Sequence, residues 1–363
     1  MSRKIIALVA ILLLGVSMPL KAQQDVVPKE VTALLNDIAE IDNLRTIAPL
    51  KISAEQKTKI TELLSTLLES YNKRTAKGIV PAIQELAQEI KRVRASVLAG
   101  KAIPAGFDEK VRQMEADFIE KREKENNLLL RGFTDGVKPL LTKDQIATGT
   151  KLARSIATRN GSDLKGGDEL AMGYLLLFGY ATQVKTQQNV VPKEVTALVT
   201  DISDIDKMRV LSPIKITSDQ YASIAKLISD SFKVYNQKVT EALVPPIQAY
   251  AKEIRQVKAD VIAGKPVPDG FDKKVKEIED SFFDKRATED SSTLKSVSDE
   301  LRKIFTQAQV DAAIELAKTL PAKTGKKLKG TDDQFFNFYV KGTFLEYPGI
   351  ITLLNNLKNQ PAP

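Results

Sequence analysis

The chain of 363 residues has no cysteine, no histidine and no tryptophan. Without Cys there is no disulfide, no thiolate metal site, no Cys nucleophile and no lipoprotein anchor. Without His there is no Ser-His-Asp triad and no imidazole zinc site. Carboxylates alone would have to hold any metal, and here they are spread along helical patterns as solvated residues are, so no metal and no cofactor is expected. Nucleophile, base and orienting group cannot be assembled from the remaining side chains, and the chain is not read as an enzyme. Long apolar runs are scarce as well. Those at 170–181 and 335–344 are shorter than the roughly 20 residues that a membrane-spanning helix needs. β-type runs bounded by glycine are few, and helix formers dominate.

What is present begins with an export signal. Arg3 and Lys4 precede the apolar run Ile5 to Val16, and Ala22 offers a small residue before Gln23. Residues 1–22 read as a signal peptide, the run being too short for comfortable anchoring in a bilayer. The expected location is the periplasm. Loss of Arg3, Lys4 and Lys21 takes the formal net charge from +8 to +5, with 51 basic residues against 46 acidic ones. So even a balance argues against nucleic acid as partner.

The strongest signal is an internal repeat. Gln23-Gln24-Asp25-Val26-Val27-Pro28-Lys29-Glu30-Val31-Thr32-Ala33-Leu34 returns as Gln187-Gln188-Asn189-Val190-Val191-Pro192-Lys193-Glu194-Val195-Thr196-Ala197-Leu198. Tyr71-Asn72 maps onto Tyr235-Asn236, and Gly106-Phe107-Asp108 onto Gly270-Phe271-Asp272, at the same offset of 164. Residues 23–186 and 187–363 therefore form two homologous units, not a short-period solenoid.

Within each unit the apolar spacing is helical. Val31, Leu34, Leu35, Ile38 and Ile41 form a first stripe; Ile60, Leu63, Leu64, Leu67 and Tyr71 a second; Ile83, Leu86, Ile90, Val93 and Val97 a third. Pro81, and Pro245-Pro246 in the copy, are expected to interrupt or kink the chain between the second and third. Gly100 reads as a C-cap and Asp108 as an N-cap. A long helix then runs from Val111 to Leu140, polar between Glu120 and Asn127. The run at 170–181 and its counterpart read as a closing helix, or as an apolar patch for a partner. The expected fold is all-α, with about five helices in each unit.

Four helix starts share one pattern: Ser53 with Gln56, Thr142 with Gln145, Thr217 with Gln220, and Thr306 with Gln309. Each is a capping box, in which the hydroxyl accepts from the N3 backbone N–H and the Gln side chain reaches back to the cap. Two boxes per unit, flanking a hairpin and a charged long helix, resemble the repeated Leu-Thr-x-x-Gln motif of the Spy/CpxP family of periplasmic proteins. Leu141-Thr142-Lys143-Asp144-Gln145 matches it literally; the other three replace Leu by Ile or Phe, and one replaces Thr by Ser. The resemblance covers about Ile41 to Arg154 and Ile205 to Lys318. It implies an ATP-independent chaperone or envelope-stress protein with a cradle-shaped helical fold, which two units in one chain would build as an intrachain pseudo-dimer.

The candidate binding surface is basic. Lys91, Arg92 and Arg94, with Arg255 and Lys258 in the copy, lie on one predicted helix; Lys121-Arg122 and Lys285-Arg286 lie on the long one. Such a face would attract acidic unfolded clients before apolar contacts form. The other reading is a solvated helix face laced by i,i+4 pairs. Three roles follow: a holder of unfolded or partly folded proteins, a module binding one folded envelope protein, or a structural helical spacer.

Overall fold

The computed structural model describes residues 29–159, 167–180, 193–319, 329–347 and 349–359. The signal-peptide segment, the start of the first repeat motif and the junction between the units lie outside them. The fold is all-α, with no strand among the described residues.

In the first unit, α1 (Lys29–Ile47) passes through a 3-10 turn (Ala48–Leu50) into α2 (Ala54–Leu98). Then come α3 (Phe107–Val137), α4 (Lys143–Arg159) and α5 (Gly167–Tyr180). The second unit repeats this order as α6 (Lys193–Leu211), α7 (Ser218–Ile262), α8 (Phe271–Ile304), α9 (Gln307–Thr319) and α10 (Asp332–Val340). A π-helical turn (Lys341–Leu345) continues α10, and α11 (Ile350–Leu357) ends the described chain. The copies match in backbone detail. Lys51 and Lys215, at the same repeat position, both take left-handed φ (47° and 53°) as the 3-10 turn closes.

The prolines do not end the helix. The expected second and third stripes lie on one 45-residue helix, α2, which carries Pro81 inside it; α7 carries Pro245 and Pro246 likewise. Each proline removes one i→i−4 bond, but the hairpin partner lies alongside and the apolar stripes resume beyond it. Gly100 does terminate α2: it takes φ +77°, and the Lys101 N–H reaches back to the Ser96 carbonyl at 3.0 Å. Asp108 is not the N-cap. Gly106 occupies that position at φ +80°, and Asp108 sits in the first turn of α3.

α2 and α3 form one long hairpin, α7 and α8 the other. Arg74–Glu125 (2.7 Å) and Lys110–Glu89 (2.8 Å) fix the first in antiparallel register; Lys238–Glu289 (2.9 Å) and Lys274–Glu253 (3.0 Å) fix the second.

The apolar cores do not follow the repeat boundary. One is built from buried residues of the first unit, where Ile60 and Leu64 of α2 meet Phe133 and Val137 of α3, and Met172 and Leu176 of α5, with Val261 of α7 packed against it. The other two are shared. Val31, Leu34, Ile38 and Ile41 of α1 pack against Ile247, Ile254 and Val257 of α7, and Phe271 and Val275 of α8. Reciprocally, Leu198 and Ile205 of α6 join Ile90, Val93 and Val97 of α2, and Phe107 and Val111 of α3. Each unit thus lends its first helix to the far end of the other unit's hairpin.

Candidate functional site

The four capping boxes form as the sequence predicts. In each, the Gln backbone N–H donates to the cap hydroxyl at 3.2–3.3 Å, and the cap N–H donates to Gln Oε1 at 2.9 Å. What the sequence did not reveal is that the boxes pair. Gln56 Nε2 donates to Gln145 Oε1 (3.0 Å) and to the Leu140 carbonyl (2.7 Å). Gln145 Nε2 donates back to Gln56 Oε1 (3.1 Å) and to the Leu50 carbonyl (3.1 Å). Gln220 and Gln309 repeat the arrangement, through the Ile304 and Lys215 carbonyls. Every amide donor and acceptor of each pair is used. These eight residues are structural clamps that tie the starts of two helices together at the base of each hairpin.

A second symmetric set lies where the units interlock. Arg94 on α2 pairs with Asp201 (3.2 Å) and Asp204 (2.6 Å) on α6. Its counterpart Lys258 on α7 pairs with Asp37 (2.7 Å) and Glu40 (2.6 Å) on α1. Burial alone would pull the Lys258 ammonium down, but the two carboxylates outweigh it and its pKa is raised. Arg45 on α1 binds Asp272 of α8 (2.7 Å), and Arg209 on α6 binds Asp108 of α3, the same exchange seen from the other unit. Arg255 reaches Glu30 at 3.4 Å across the same joint. The charges of Arg94 and Lys258 are met between the units, whereas Arg255 and Glu30 both stay more than half exposed. A sequence signal for the joints existed: Asp37/Asp201, Glu40/Asp204, Arg45/Arg209, Arg94/Lys258 and Asp108/Asp272 all keep their sign at the 164-residue offset.

Between base and tip, each hairpin has a span with little burial, its waist. No residue of α3 is buried between Val111 and Leu129, about 25 Å of helix. The polar stretch 120–127 stays helical there. In α8, Glu289 is the one buried residue between Val275 and Val297. Lys238 and then Lys285 hold its carboxyl below the usual range. Lys121, Arg122, Lys285 and Arg286 all sit on this waist. Among large apolar side chains, Ile119 (58% exposed), Leu128 (47%) and Val234 (53%) also stand out into solvent there. Lys91 and Arg92 are exposed on α2 near the hairpin tip. On the second unit a groove of about 690 Å³ runs along α7 from Ser229 to Glu241, with Phe232 in it and Ile351 of α11 as a wall.

Comparison of the chain with protein-family models, with curated proteins and with solved structures returns no significant match. The arrangement must therefore be read on its own chemistry. The waist offers apolar side chains, cations and a groove on narrow helical hairpins, which suits adhesion to flexible chains. The described residues include no helix long and apolar enough to cross a membrane.

Proposed function

We propose that the protein is an exported, ATP-independent holder of unfolded or partly folded proteins, and that its two units form one Spy-like cradle as an intrachain pseudo-dimer. The observation that carries this reading is the waist. Long hairpins are anchored at the base by their own unit and at the tip by the other, while the span between them leaves Ile119 and Leu128 exposed on the helix that carries Lys121 and Arg122, and Val234 exposed in the second unit. A soluble protein seldom keeps large apolar side chains and matched cations in reach of solvent over two such spans without a binding role. The reciprocal exchange of α1 and α6 supports the pseudo-dimer, since it repeats the same ion pairs on both sides of the joint.

The test is a light-scattering assay with a chemically unfolded model protein diluted into buffer without nucleotide. Equimolar protein is expected to delay aggregation, and Ile119→Ser combined with Lys121→Glu and Arg122→Glu to weaken the delay several-fold without loss of helical circular dichroism. Absence of any delay by the folded natural chain would sink the proposal.

A further inference from the structure

We propose that the joint between the units is a self-complementary interface, through which each unit also accepts the like unit of a second copy of this chain. The occupant is read from what already sits there. The α2–α3 tip of the first unit seats α6, and the α7–α8 tip of the second seats α1. Each unit thus carries one seat and one helix for a seat. Where the two seats match and the two helices match, a unit fits a copy of itself, as the patches of an isologous dimer do.

The match holds side chain by side chain. Val31, Leu34, Ile38 and Ile41 of α1 recur unchanged in α6 as Val195, Leu198, Ile202 and Ile205. In the seats, Ile90 and Val93 recur as Ile254 and Val257, and Phe107 and Val111 as Phe271 and Val275. Burial alone does not demand this, because cores tolerate apolar exchanges that keep their volume. The cores at the hairpin bases have in fact drifted: Phe133 is replaced by Val297 in the copy, Val137 by Leu301 and Met172 by Phe336.

Charge completes the match. Arg94 in one seat meets Asp201 and Asp204 of α6, and Lys258 in the other meets Asp37 and Glu40 of α1. Both seats are basic here and both helices acidic, so Arg94 suits Asp37 and Glu40 of a second copy, and Lys258 suits Asp201 and Asp204. Arg45 and Arg209 are interchangeable against Asp108 and Asp272 in the same way. Within one chain the unlike units pair first, because they are tethered.

Two triple variants of the full chain separate the pairings. Both carry Asp37→Lys and Glu40→Lys. The first adds Arg94→Glu, which reverses helix and seat of the first unit together. Unlike units then set like charges face to face on both sides of the joint, while like units of two chains remain matched. The second adds Lys258→Glu instead, which keeps unlike units matched and mismatches like ones. Refolded from urea at the same concentration and sized by chromatography with light scattering, the first variant is expected at twice the mass of the natural chain or more, and the second at the natural mass, both with full helical circular dichroism. A first variant of natural mass, a second variant that associates as well, or loss of helicity in either would overturn the proposal. Aggregation assays bear on none of these outcomes, since the pairing rests on the exchanged helices and not on client binding.

Discussion

Gln145 is the residue on which the base of the first hairpin turns. Gln145→Ala removes a cap contact, leaves the Leu50 carbonyl without its Gln145 donor, and takes from the Gln56 amide one of the two partners on each of its polar atoms. A lost cap costs about 1 kcal/mol and a stranded polar group about 1–3 kcal/mol, so urea unfolding should show a loss of about 2–4 kcal/mol. Gln309→Ala should cost a similar amount, because the second node has the same geometry. Ion pairs divide by burial. Arg94→Ala leaves the buried Asp204 carboxylate without its cation and should cost about 3 kcal/mol. Lys226→Ala, which breaks an i,i+4 pair whose partners are 79% and 61% exposed, should change stability by less than about 0.5 kcal/mol. Glu279 on α8 supplies the pH dependence. Burial first, then Asp42 of α1 and Asp280, push its carboxyl up to about 7. The folded state therefore holds this proton more tightly than the unfolded chain. Its contribution is present in mild acid and is lost as pH rises through 7. The unfolding free energy from urea titrations at pH 6 and pH 8 should differ by about 1 kcal/mol or less from this group after solvent screening, and Glu279→Gln should abolish that difference.

The helices themselves were largely legible. Their apolar stripes, their four box starts and the Gly100 end stand where periodicity and capping chemistry place them, since these are local preferences that packing reinforces. Of the two outcomes that the prolines predict, interruption does not occur, since α2 and α7 run through them. A proline costs an isolated helix about 3 kcal/mol, but α2 is fixed on both sides of Pro81, by the base core at Leu64 and by the joint at Ile90. Tertiary packing outbids the local penalty. Pro81→Ala should accordingly stabilise α2, by about 1–3 kcal/mol, read as a raised urea midpoint with unchanged slope. Asp108 suits a cap by residue type, but the structure gives the cap to Gly106 and uses Asp108 to meet Arg209 of the other unit, a partner 101 residues away.

For the molecule as a whole, the decisive feature is exchange. Separated fragments 23–186 and 187–363 would each expose a hairpin tip stripped of its covering helix: Ile90, Val93 and Val97 in one, Ile247, Ile254 and Val257 in the other. Co-expressed as two chains, they should co-purify as a 1:1 complex by size-exclusion chromatography with light scattering. Two independently monomeric fragments, each with full helicity, would contradict the shared cores.

The order of residues was enough to establish an all-helical chain built twice, because a 3.6-residue period, box chemistry and a 164-residue echo are each written in consecutive positions. It was not enough to say which helix lies on which. α1 has the same apolar stripe whether it folds onto α2 of its own unit or α7 of the other, and a stripe carries no address. Complementary charges supply one, Arg45 for Asp272 and Asp37 with Glu40 for Lys258, but they act only when residues more than 200 positions apart are brought together. The same holds for the paired glutamines, whose second set of hydrogen bonds exists only after the two helix starts have met.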